Sequence, residues 1–135
     1  MTRMTYDDAE WHLDTVGELG LDDSAADVHI GVYLAWAATR GLLSKPYASA
    51  SSQVRSRAGT PAQLAHDMFV DQIDPGMLSP VGRRFTESAY SSYLATVDTA
   101  AQVAGLKVCY ELPDTWSTYD NLVPLIDSLY ENWVD

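Results

Sequence analysis

The chain has 135 residues, 47% of them apolar, which is enough for one core and points to one domain. Its single cysteine, Cys109, excludes an intramolecular disulfide, and no apolar run is long enough to span a bilayer. A formal net charge of −11 repels phosphate backbones and anionic lipid, so neither nucleic acid nor membrane is an expected partner.

In chain order, Arg3 is followed by Tyr6, Asp7, Asp8 and Glu10 rather than by an apolar stretch. That is no secretory leader, and with the lone cysteine it suggests a reducing cytoplasm. Asp7 and Glu10 have capping-box spacing, and a short helix carrying Trp11 and Leu13 is expected to end at Gly17 or Gly20. Asp22, Asp23 and Ser24 offer a second N-cap. Residues 25–40 then read as a helix that is apolar over most of its circumference. Such a helix belongs at the centre of a domain, with Ile30, Leu34 and Trp36 out of reach of solvent. Gly31 inside it implies a close approach by another helix, and Gly41 a left-handed stop.

Residues 48–59, rich in Ala and Ser, read as an exposed loop. Thr60-Pro61 opens a helix whose buried face holds Leu64, Met68, Phe69 and Ile73, and Pro75-Gly76 stops it. Ser79-Pro80 opens a long helix, with Phe85, Ala89, Tyr93, Val97 and Ala101 on one face down to Gly105. Residues 106–112 alternate with period two, which allows one short strand. A final amphipathic segment follows Asp114, and Pro124 within it leads to an expected kink or fresh helix start near Asp120. The expected fold is therefore all-α, with at most one short strand or hairpin: a single-domain helical bundle over 1–135 around a buried central helix 25–40.

Three histidines are too few for a dense metal site, and no HExxH, CxxC, phosphate-binding glycine loop or nucleophile elbow is present. No cofactor, metal or catalytic residue is expected on that basis. His12 follows an acid-rich run, and His29 sits on the Trp36 stripe of the central helix; both read first as structural core groups. If the first short helix packs on the central one, His12 and His29 meet, and with Asp7 or Asp8 they would form a metal-binding or catalytic site. Cys109 has only Lys107 as a cationic neighbour and reads as inert packing.

The acids are uneven. Residues 1–30 carry eight, residues 105–135 carry six, and the middle holds five against six basic residues. Such ends would steer a basic protein toward them. Asp7, Asp8, Glu10, Asp114, Asp120 and Glu131 are the expected rim charges of a partner interface. Trp116 and Tyr119 are its expected anchors, because aromatics amid carboxylates make binding hot spots.

Tyr6-Asp7-Asp8-Ala9-Glu10-Trp11-His12, then His29 to Trp36 with Gly41-Leu42, resembles a bacterial family known as a domain of unknown function with the pattern YDDAxWH and HIGxxLAW. Thr115 to Asp127 resembles that family's TWxxYDxLxPxID ending. Trp11, His12, His29 and Trp36 are its structural motif residues here. Residues 75–82 depart from the acid-rich stretch common in the family. The resemblance implies an immunity protein that inhibits a cognate bacterial toxin by stoichiometric contact. An enzyme or metal-binding protein using His12, His29 and Asp7/Asp8, or a regulatory adaptor, are the alternatives.

Overall fold

Helix α2 (Val28–Thr39) is buried on every side from Val28 to Ala38, so every other layer packs around it. Ile30, Leu34 and Trp36 are each 0% exposed, in accord with the sequence pattern. The computed structural model describes residues 5–134, so Arg3 and Asp135 lie outside the described residues.

The chain enters through a two-residue strand β1 (Asp7–Asp8), a 3-10 turn (Ala9–His12) and a short helix α1 (Leu13–Glu18). A second 3-10 turn (Asp23–Asp27), capped by Asp22, leads into α2, so the α-helix begins three residues later than the apolar pattern does. Helix α3 (Ala50–Ser56) occupies the stretch expected to be a loop. Its only apolar signal is Ala50 and Val54, one turn apart, and both are buried. Helix α4 (Pro61–Phe69) ends before Ile73, which belongs instead to strand β2 (Gln72–Ile73), antiparallel to β1 with Asp7 opposite Ile73.

Helix α5 (Pro80–Val103) and helix α6 (Trp116–Val134) complete the bundle, giving six α-helices and one two-stranded ladder among the described residues. The period-two stretch is not a strand. Glu111 Oε1 accepts from the amides of Lys107 (2.9 Å) and Val108 (3.2 Å) and folds the segment into a 3-10 turn, Cys109–Glu111. Pro124 does not interrupt α6. It is exposed, as is Asp120, whose carbonyl it leaves without an intrahelical donor, so water can serve that carbonyl.

Gly31 marks a close helix crossing. A Cβ there would lie 1.9 Å from the Pro61 carbonyl oxygen, so only glycine lets the start of α4 cross α2 this closely. Among the described residues, no helix is long and apolar enough to cross a membrane.

Candidate functional site

Asp7 is 3% exposed, and its carboxylate accepts four hydrogen bonds. Oδ1 takes the Asp8 amide (2.8 Å) and His12 Nε2 (2.6 Å); Oδ2 takes His29 Nε2 (2.9 Å) and the Tyr90 hydroxyl (2.5 Å). Each donor comes from a different element. The first 3-10 turn, capped by Asp8 through the Glu10 amide (2.9 Å), presents His12; α2 presents His29; α5 presents Tyr90. An ionised carboxylate only accepts, so both Nε2 atoms carry hydrogen. His12 Nδ1 lies 2.5 Å from the Tyr110 hydroxyl, and the two imidazoles meet edge to face at 4.7 Å. Tyr93 donates to the His29 carbonyl (2.6 Å) and fixes the helix below the ring.

Burial alone would raise the pKa of Asp7, but the hydrogen bonds from His12, His29 and Tyr90 outweigh it and hold the carboxyl well below its usual range. Burial pushes the Tyr110 phenol up to about 12 and the Cys109 thiol likewise to about 12, so neither is an activated nucleophile. Donor atoms of Asp7, His12 and His29 all lie within 4.8 Å of one another, a spacing that suits a cation. Yet Asp7 has its four acceptor positions filled and both imidazole donors are engaged. The meeting of His12 and His29 is as the sequence allowed. The result is a satisfied polar network that fastens the N-terminal segment to α2, α5 and the 109–111 turn.

Other expected interface residues sit differently. Asp7 is no rim charge, because the network above takes it into the core. Asp8 is half-buried and also accepts from Gln72 Nε2 (2.9 Å). Asp114 caps α4, accepting from Thr60 Oγ1 (2.8 Å) and the Ala62 amide (2.9 Å). Tyr119 is 5% exposed, and the half-buried Trp116 donates its indole N–H to the Gly59 carbonyl (2.9 Å). Arg57 lies over both rings, 5.6 and 5.5 Å from their centroids. The two expected anchors are thus the seam between α6 and the α3–α4 connection, since the amphipathic face that carries them is the one α6 buries. Asp120 is exposed and paired with Arg57 (2.8 Å), and Glu131 is exposed. Trp36 donates to Asp127 (2.8 Å), which Arg40 also grips through Nε (2.9 Å) and NH2 (2.5 Å).

An open depression of about 720 Å³ lies beside the Asp7 network and was not legible in the sequence. Six carboxylates line it: Asp8, Glu10, Asp23, Asp27, Asp71 and Asp114. Leu13 and Val70 also line it and are 36% and 71% exposed; Trp11, next to Glu10 in the chain, is 60% exposed.

Asp27 is the unusual member. It is 7% exposed, makes no capping bond to α2, and its Oδ1 has no hydrogen-bond partner, the only such buried side-chain atom among the described residues. Burial first, then Asp71, Asp114 and Asp8, push its carboxyl up to about 8. Burial also raises Asp71, but hydrogen bonds from Asp27 and His66 outweigh that and hold it below its usual range. A proton shared by the pair therefore resides on Asp27. Two consecutive left-handed residues, Val70 (φ 49°) and Asp71 (φ 62°), turn the chain after α4 and bring Asp71 to Asp27 and to His66 Nδ1 (3.0 Å). Such conformations cost about 1–3 kcal/mol each in non-glycine residues.

Fold and site define a small helical domain with a sealed aspartate–histidine core beside an acidic concavity. The chain belongs to the family described as a domain of unknown function, DUF7832, whose sequence model matches residues 5–111. That span holds the whole Asp7 network and stops short of α6. No curated protein and no solved structure matches the chain.

Proposed function

We propose that this protein is an immunity-type inhibitor that binds one basic bacterial toxin stoichiometrically, with the acidic depression as its docking face. The observation that supports this reading most is the convergence of six carboxylates, drawn from the chain's N-terminal, middle and C-terminal thirds, on one open concavity. Charge of one sign in a concave surface steers an oppositely charged partner, and exposed apolar groups at its edge supply anchors. Trp11, Leu13 and Val70 take the anchoring role first assigned to Trp116 and Tyr119, and Asp8, Glu10, Asp23 and Asp114 supply the charge. Asp120 and Glu131, exposed outside the depression, strengthen the field without touching the docking face. In this reading the protein works in the cytoplasm of the cell that makes the toxin. The alternative of an enzyme or metal protein built on Asp7, His12 and His29 has less support, because those groups already satisfy one another. An adaptor would use the same face without neutralising its partner.

The test is co-expression with the product of the gene next to this protein's own. Cells should survive with the wild-type protein and die with the Glu10→Lys, Asp23→Lys double variant. Association in stopped flow should slow at least tenfold for that variant at low salt, and the wild-type rate should fall as salt rises. A neighbouring gene product that neither kills nor binds removes the inhibitor reading.

A further inference from the structure

We infer that Asp27, His66 and Asp71, in the lining of the acidic depression, form a binding site for a divalent transition cation of the zinc type. The geometry is the first support. One donor atom from each side chain lies within 4.8 Å of the other two. His66 Nδ1 stands 3.0 Å from one Asp71 oxygen and 3.3 Å from the other. Ligands held at about 2.0–2.2 Å from a tetrahedral Zn²⁺ are separated by roughly 3.4 Å, so the cluster needs little adjustment to close on one.

The second support is independent of the clustering of acids. Asp27 lines the depression with 7% exposure and an Oδ1 that no donor reaches. A buried carboxylate oxygen without a donor is costly, and one in a residue that lines a concavity beside a second carboxylate is a place for a positive charge. The left-handed pair Val70 and Asp71 adds that the chain adopts a costly turn where it delivers the second ligand.

The donor set selects the ion. Two carboxylates balance a dication, and the imidazole favours Zn²⁺ or Co²⁺ over Mg²⁺ and Ca²⁺, which prefer all-oxygen shells. Three protein ligands leave a fourth tetrahedral position, as in zinc sites that hold an exchangeable water. The contrast with Asp7, His12 and His29 is one of vacancy: there every acceptor position on the carboxylate is taken. The inference does not depend on the inhibitor reading.

The experiment is calorimetric titration of the full chain with Zn²⁺, with Co²⁺ absorption as a second readout and Mg²⁺ and Ca²⁺ as controls. One equivalent of Zn²⁺ should bind, Co²⁺ should give visible bands, and Mg²⁺ and Ca²⁺ at the same concentration should not compete. Asp27→Asn and His66→Gln should each weaken Zn²⁺ at least tenfold, with His66→Gln also changing the Co²⁺ spectrum. His66 is exposed, so its variant will fold, and His12→Gln should leave the Zn²⁺ affinity within twofold of wild type. Absence of one-equivalent binding overturns the inference. So does binding indifferent to both Asp27→Asn and His66→Gln, or binding lost only with His12→Gln.

Discussion

Asp7 and Asp27 are both buried aspartates within the first 30 residues, and they are opposites. Asp7 is met by two imidazoles, a phenol and an amide, and its proton is driven off. Asp27 is met by other acids, and its proton is kept. Burial acts on both in the same direction, so the difference between the two outcomes comes from the partners. A closed set of donors makes the first a piece of core; an absent donor and a place in the lining of the depression set the second apart.

The comparison breaks most visibly at Asp7. Replacing it with Asn takes away the charge and presents amide hydrogens to groups that are themselves donors. Unfolding free energy from urea titration should fall by about 3–5 kcal/mol, as for a buried charge cluster that loses one partner. His29→Gln removes one donor and leaves Oδ2 with Tyr90, so the same titration should show a smaller loss of about 1–3 kcal/mol. Survival of either variant at full stability would mean the network is not part of what holds the fold.

Asp27→Asn should go the other way. The Asn amide can donate to Asp71 as the protonated acid does, without the cost of ionisation. Its sign depends on pH. Asp7 has a lowered folded value, so the stability it gives is present above 3.8 and lost as pH falls below that. Asp27 has a raised folded value, so the stability given by its protonated form is full below 3.8 and lost as pH rises toward about 8. Urea midpoints at pH 4.5, 6 and 8.5 should therefore show Asp27→Asn close to wild type at the lowest pH. At the highest it should be more stable by about 1 kcal/mol, in the absence of added metal. A variant less stable at every pH would show Asp27 to be an ordinary packed carboxyl. The smallest effect belongs to His66→Gln, whose exposed pair with Asp71 should be worth under about 0.5 kcal/mol in the same titration.

The helices with periodic apolar faces were legible in the sequence: α2, α4, α5 and α6 all stand near the residues that mark them. Gly31 announced the close crossing with Pro61, because a glycine inside a buried helix has few other uses. Three features escaped. Helix α3 has two apolar residues and too little periodicity to register. The 106–112 alternation was overruled by one side chain, Glu111, which captures two amides. Tyr119 was taken for a surface group because periodicity ranks faces within a helix and does not say which neighbour covers them. At the site, the adjacency of His12 to Asp7 is local and could be read. Tyr90 and Tyr110 join from 83 and 98 residues away, where no spacing rule reaches. The acidic depression is wholly tertiary: Asp71 arrives there through two left-handed residues, and neither Val nor Asp advertises that conformation as glycine would.

The bond between His12 and Tyr110 also orders events in time. Ninety-eight residues separate its ends, and a chain synthesised at about 5–20 residues per second takes roughly 5–20 s to cover that gap. Asp7 and His12 therefore leave the ribosome well before Tyr110 and cannot finish settling until it follows. During that interval His12 lacks its Tyr110 partner. The earlier-made of these two segments is thus the one that waits to be fastened.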